Sequence, residues 1–407
     1  MYFTITRYAK SSIAKKSGAL LSYSQAYRSP WFQSRPSLSF YSLLLQLTPQ
    51  GLLAKLKVFA AAATGGGTAA AASPKDLNEL VTWLSDGVAR TIVLDKTWDF
   101  TGSMGSKTEK GCTPLSNTCT NGAGQDSVDI NGWCEQAANA NQALAKPTIT
   151  YDVAGIPPNA IKIGSNKSIV GVGSAGKIKG RGFYIAGAKN IIIQNVEFVE
   201  MNPKYIWGGD AISVDGTDLL WIDHVKISRI GRQFITMGPG ASNRVSITNS
   251  EFDGSTLWSA KCNNHHYWTL YFTGSQDSVT FKGNYIHNTS GRGPKVGGLH
   301  SSVKPNVFLQ AANNYWSDIA GNAFQIANTP VIFDIPSNPL WSSSSGVAGC
   351  ASALGRNCQA NSLVSSGSFA GSNTDVLTAA KGMSLAPVAD VGTTKANVLK
   401  NAGIGKI

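Results

Sequence analysis

The chain has 407 residues, 42% of them hydrophobic and 14% charged, so it can bury a large core in one big domain or two ordinary ones. Its formal net charge of +12 points to a polyanionic partner only until the charge is located: residues 1–60 hold Arg7, Lys10, Lys15, Lys16, Arg28, Arg35, Lys55 and Lys57 with no acid. The rest is nearly balanced, which removes bulk charge as an argument for nucleic acid, and no apolar run reaches the ~20 residues of a membrane span.

The basic, Ser-rich stretch 1–61 reads as a leader or an N-terminal extension, either a disordered basic arm or an unnatural addition, ahead of one domain over 62–407. "SPKDLNELVTWLSDG" predicts a helix: Leu77, Leu80, Val81 and Leu84 share a face, Ser73 to Asp76 resembles a capping box, and Gly87 ends it. "RTIVLD" follows as a short strand. Helical periodicity is then absent until "TTKANVLKNAG" near the C-terminus.

Between them, "NIIIQNVEF", "DLLWIDHVKI", "NRVSITNSEF" and "DSVTFKGNYI" repeat one plan: an apolar strand, a short polar break, and a second strand. With Asn195, Asp223, Asn249 and Asn284 taken as equivalent, the steps are 28, 26 and 35 residues. Repeats of strands at this period predict an all-β, parallel β-helix, with Asn and Asp at breaks that demand left-handed backbone and with Asn side chains bonding from coil to coil. The helix at 77 would cap the open end of the coil stack. The longest departures from the repeat, residues 107–146 and "DGSTLWSAKCNNHHYWTLYFTG", are the expected rim of a groove. Trp133, Trp207, Trp258, Tyr267, Trp268 and Tyr271 cluster in such loop-like sequence, either as gap-fillers or as flat faces for sugar rings.

Six cysteines without metal-type spacing argue for three disulfides in an exported protein, and N-x-S sequons stand at Asn166 and Asn288. The five histidines, His224, His265, His266, His287 and His300, also lack metal spacing and are expected to be mostly structural. The stretch "WGGDAISVDGTDLLWIDHVKISRIGRQF" is unusual in placing Arg229 and Arg232 where a metal site would gather carboxylates; Arg229 reads as a surface residue.

"NPKYIWGGDAISVD", "DLLWIDHVKISRIGRQ", "CNNHHYWTLYFTGSQDSVTFKGNYIHNTSGRGPKVGG" and the terminal "NAGIGKI" occur in order and resemble the pectin lyases of the pectate lyase superfamily over roughly residues 62–407. The resemblance implies a right-handed single-stranded parallel β-helix and cleavage of methyl-esterified polygalacturonan by β-elimination. It further implies a secreted, monomeric enzyme with pectin as partner, no nucleic-acid or membrane partner, no cofactor and no metal. Arg292 would take the C5 proton, Lys295 and Arg232 would polarise the carboxyl group, Asp210 would balance Arg232, and Trp133, Trp207, Tyr267, Trp268 and Tyr271 would bind substrate. It also implies pairing of Cys112 with Cys134, Cys119 with Cys262, and Cys350 with Cys358. An arginine base is chemically demanding: with pKa ~13 the neutral form costs roughly 7 kcal/mol at pH 8, less beside other cations. Family members carry aromatics just after the third cysteine, and "CEQAANANQ" has none. Three alternatives stay open: a calcium-dependent pectate lyase, a polygalacturonan hydrolase with paired carboxylates, and a pectin-binding β-helix without activity.

Overall fold

The computed structural model describes residues 58–407 apart from 121–123, 138–142, 260, 298–306, 322–324, 327–331, 335–349, 353, 358–360 and 367–374. Each coil contributes one strand to each of three parallel sheets. In the best-formed coil, Phe183–Ala186 belongs to a seven-stranded sheet, Lys189–Gln194 to a nine-stranded sheet and Glu197–Met201 to a second seven-stranded sheet, after which Ile212–Asp215 returns to the first. We call these the site sheet, the long sheet and the ladder sheet. Strictly parallel neighbours, 20 to 35 residues apart in sequence from Ile161 onward, are a parallel β-helix, as the repeat predicts.

Register stacks like on like. Ile191, Leu220, Val245, Val279 and Leu309 form one inward column of the long sheet, and Ile193, Ile222, Ile247, Phe281 and Ala311 the next. All are buried in one continuous core. Each Val, Leu, Ile or Phe side chain among them contributes about 1.5–3 kcal/mol by leaving water, and truncating a Leu, Ile or Phe to Ala would cost about 2–5 kcal/mol because stacked coils cannot collapse into the gap.

The breaks between the long and ladder sheets are where sequence spacing misplaces the equivalence. The residues that share left-handed backbone are Asn195, His224, Asn249, Gly283 and Asn313, so the first three steps are 29, 25 and 34 residues. Asp223 and Asn284 lie one position to either side. Gln194 is registered opposite Asp223, and Asp223 opposite Thr248, which fixes the frame. Asp223 is the last strand residue and accepts from Gln194, His224, Thr248 and Asn249. Asn side chains do bond between coils: Asn284 Nδ2 donates to Ile247 O at 3.0 Å, and Asn314 Nδ2 to Phe281 O at 2.8 Å.

Helix α1, Leu77–Ser85, buries Leu80 and Leu84 in the core and packs on the first strands Arg90–Leu94 and Ile161–Lys162, so it covers one end of the stack. Its capping residues differ from expectation. Asp76, not Ser73, is the N-cap and accepts from Glu79 N at 2.9 Å, Glu79 reaches back to Lys75 N, and Asp86 rather than Gly87 closes the helix. Further α-helices among the described residues include α2 Trp133–Ala137, α3 Asp375–Ala380 and α4 Val391–Asn401.

Both chain ends of the described part lie along the coils. Residues 58–67 run over the outside of the long sheet: Ala60 N donates to Ser246 Oγ at 2.9 Å and Gly66 N to Ser168 Oγ at 3.0 Å, while Ala60 and Ala63 pack on Ile192 and Trp221. Residues 58–61, which sequence composition groups with the extension, belong to this strap; most of 1–61 lies outside the described residues. At the other end Gly403 N donates to Asn249 O and Gly405 N to Asn195 Oδ1, so "NAGIGKI" follows the turn ladder.

Candidate active site

The chain that leaves the ladder sheet and enters the site sheet makes the longest loops; these loops hold Asp210, Arg232 and Arg292, and Lys295 opens the site-sheet strand that follows Arg292. Asp210 precedes strand Ile212–Asp215, Arg232 precedes Ile235–Met237, Tyr267 and Trp268 precede Leu270–Phe272, and Arg292 precedes Lys295–Val296. Neighbouring rungs bring these four segments side by side. Gly208 and Gly231 let them approach: a Cβ on Gly231 would stand 2.5 Å from Tyr205 O and 2.9 Å from the Gly208 Cα.

Asp210 is buried and fully engaged. Its Oδ1 accepts from Gln233 N at 2.8 Å and its Oδ2 from Arg232 Nη1 at 3.2 Å, with Ser213 Oγ at 3.5 Å. Arg232 lies on the face of Trp207, its guanidinium carbon 3.4 Å from the ring centre. Such a stack, half shielded from water, is worth about 1–2 kcal/mol and fixes the guanidinium plane.

Arg292 is caged by aromatic rings. Its guanidinium carbon is 4.4 Å from the Trp268 ring centre, 4.7 Å from Tyr271 and 5.6 Å from Tyr267. Gly291 is needed here, since a Cβ would meet the Tyr267 ring at 2.5 Å. Burial pushes the Arg292 pKa below its ordinary value, Tyr267 and Tyr271 pull it back, and Arg232 adds to the downward push. Lys295, 5.5 Å from the Tyr271 ring centre, is lowered by burial and then by Arg292. Among the described residues neither Arg292 nor Lys295 has a carboxylate partner. The result is a half-buried group of three cations and one paired acid, suited to holding negative charge that develops on a neutral group.

The long insertion braces this arrangement. Gln125, buried within it, donates from Nε2 to Pro203 O and to Gly231 O, both at 2.9 Å, and Asp126–Ser127 pairs with Tyr205–Ile206. The disulfides Cys112–Cys134 and Cys119–Cys262 are formed, and the second ties the insertion to the loop that carries Tyr267 and Trp268. Cys358 lies outside the described residues, as does His300.

A family model for pectate lyases matches residues 137–406. The chain belongs to the pectin lyases of the pectate lyase family. Probable pectin lyase A of Aspergillus fumigatus is 45% identical over 366 residues, covering 86% of this chain and 92% of that relative. Pectin lyase of Colletotrichum gloeosporioides is 46% identical over 363 residues, 86% of this chain and 92% of its own. A solved pectate lyase bound to a hexasaccharide aligns with 86% of this chain and 97% of that one at 18% identity and a TM-score of 0.48. As a member of this family the chain is a polysaccharide lyase.

Within this pectin lyase, the expected aromatic residues divide. Trp207, Tyr267, Trp268 and Tyr271 surround the arginines. Trp133 instead packs, half-buried, against Cys112, Cys134 and Leu144, the gap-filling use. Trp258 joins Lys204, whose Nζ is 4.9 Å from its ring centre, close in sequence to Trp207. Arg229 pairs with Glu200 at a left-handed ladder position and takes no part. Hollows of about 620 and 630 Å³ lie around Phe59 and Arg244 and around Lys177 and Arg229, and none of the proposed catalytic residues lines them. Sequence reasoning passed over Gln125 and grouped His266 with the mostly structural histidines; the signal that sets the latter apart is only its position two residues before Trp268 in "HHYW".

Proposed function

We propose that the chain is a secreted enzyme that cleaves methyl-esterified polygalacturonan by β-elimination without calcium, leaving 4,5-unsaturated ends. The observation that carries this is the pairing of both Asp210 oxygens with protein donors. They are taken by Arg232 and the Gln233 N–H, and the groups facing substrate are cations, an arrangement that fits an ester carbonyl. Among the described residues, the grouping of Glu251, Asp253 and His287 that has donor spacing for a metal stands on the ladder sheet, with Lys226 among it. Asp210 is not part of it, and this supports the reading over a calcium-dependent one.

In this mechanism Arg292, as the neutral guanidine, removes the C5 proton. The C5–H electrons form the C4–C5 double bond as the C4–O4 bond breaks, and O4 leaves with the severed chain, taking a proton from solvent while Arg292 gives its own back. Lys295 and Arg232 stabilise the enolate-like oxygen, and Asp210 and Trp207 hold Arg232 in plane. Burial lowers the Arg292 pKa more than Tyr267 and Tyr271 raise it, and the caging rings offer edges and faces to the sugar. The two disulfides and the exposed sequon at Asn166 support export, with the basic stretch 1–57 as leader or extension. A single coil stack whose end α1 covers supports a monomer.

The test is absorbance near 235 nm, where unsaturated uronides absorb, with purified protein on highly methylated pectin and on polygalacturonate. A rise on methylated pectin well above that on polygalacturonate is expected. A preference for polygalacturonate would overturn the proposed substrate, and new reducing ends without absorbance would mean hydrolysis.

A further inference from the structure

His266 is 2% exposed and lies between the rung that carries Arg232 and the rung that carries Arg292. Its Nε2 is 2.7 Å from Arg232 O, and its ring stacks on Phe234 with centres 4.9 Å apart and planes 9° from parallel. A carbonyl can only accept, so Nε2 carries the proton. The backbone of His266 is pinned as well: its N–H points at Gly254 O (2.9 Å) and Asn288 O (3.2 Å), and its carbonyl accepts from Ser290 N at 2.9 Å. Burial pushes the imidazole down to about 4, against its bonds to the Arg232 and Trp268 backbone, so it stays neutral near pH 7.

Arg232 is thus held from both neighbouring rungs. Its N–H donates to Gly209 O at 2.8 Å, beside Asp210, and its carbonyl accepts from His266 on the far side. From His266 the chain passes directly to Tyr267 and Trp268, which cage Arg292. Thr269 Oγ1 then donates to Gly291 O at 2.8 Å, and Leu270 N to Arg292 O at 2.6 Å. Arg232 and Arg292 repel; Asp210 and Trp207 hold one side chain and three aromatic rings cage the other, and the His266 bond ties together the backbone segments that carry these two groups. We propose that His266 is a positioning residue whose neutral imidazole fixes Arg232 relative to Arg292 and so tunes the paired-cation site. The proposal rests on the reading that Arg232 acts on substrate.

His266→Phe keeps the stack on Phe234 and loses the donor; His266→Gln can present an N–H at the place of Nε2. On methylated pectin, His266→Phe should lower kcat about 10- to 100-fold with KM changed less than about threefold, and His266→Gln should recover most of it. In an Arg232→Gln background, adding His266→Phe should cost nothing further, because its effect runs through Arg232. Equal losses for Phe and Gln, or the same loss in both backgrounds, would make His266 merely structural and overturn the proposal. If His266→Phe does not fold, His266→Asn, which is polar but too short to reach Arg232 O, takes its place with the same expectation. Arg232→Gln at wild-type kcat would overturn the role of Arg232 and this proposal with it, whereas a slow Arg232→Gln beside a wild-type His266→Phe would overturn His266 alone.

Discussion

Two outward regions of this β-helix carry basic residues, and they do so in opposite ways. On the ladder sheet Lys177, Glu197, Lys226 and Glu251 stand in register on successive coils, with Lys177–Glu197 at 2.6 Å and Lys226–Glu251 at 2.9 Å. Charge alternates, so each cation finds an acid on the next rung. At the rim of the site sheet Arg232 alone pairs with an acid, Asp210, while Arg292 and Lys295 have aromatic rings and, among the described residues, no carboxylate beside them.

The electrostatic outcome differs accordingly. Burial works against a charged Lys226, but Glu251 and Asp253 outweigh it and hold its pKa above the ordinary value. Burial works against Arg292 and Lys295 too, and there it prevails. Stacked coils ~4.8 Å apart force like positions together, so the sequence must either alternate charge or accept repulsion. Acceptance marks the region where a weakened cation is useful.

The contrast can be broken most severely at Arg292. Arg292→Gln should lower kcat at least about 10³-fold with KM within a few-fold, and Lys295→Met about 10²-fold, both read as initial rates on methylated pectin. If Arg292→Gln keeps most of its rate while Lys295→Met loses it, the base is Lys295. Arg232→Gln comes next, with about a 10- to 10²-fold loss. Removing its charge also removes a downward push on Arg292, whose pKa then rises, so the rising limb of the pH–rate profile should move to higher pH. A shift to lower pH would contradict the coupling.

On the ladder side the effects are on stability. Lys226→Met leaves Glu251 and Asp253 without their lysine and should cost about 1–2 kcal/mol, seen as a lower Tm with kcat unchanged. The smallest effect is expected at His287. Burial lowers its pKa, but Glu251, Asn288 and Asp253 raise it above 6.5 in balance. A folded pKa raised above the unfolded one means that stabilisation is complete below about pH 6.5 and is lost as pH climbs through the folded value. Glu251 has the opposite sign: burial raises its pKa, but His287 and Lys226 bring it below the usual range, so its share fades in acid. His287→Gln should therefore lower Tm by about 1–2 °C near pH 5–6, with the gap closing toward pH 8. A gap that widens with pH would mean that His287 is neutral in the fold.

Much of this was legible in the sequence, and the parts that were not share a cause. The repeat, the strands and the order of Asp210, Arg232, Arg292 and Lys295 stand in local pattern and motif. The true turn ladder does not, because left-handed backbone accepts Asn195, His224 and Gly283 alike. Register is set by pairing between residues about 25 to 35 apart, which no single segment encodes. Trp133 and His266 show the same limit from opposite sides. Loop aromatics look equivalent in sequence, yet the Cys112–Cys134 bond draws one of them into packing, while a histidine that reads as structural sits against the Arg232 backbone.

The central claim is that fixed cations do here what a metal would otherwise do. It is tested most directly by the initial rate on highly methylated pectin in excess EDTA, set beside the rate with added calcium. The account predicts the same rate in both. Loss of activity in EDTA with recovery on calcium would contradict it, and would mean that Asp210 is a metal ligand and not the partner of Arg232.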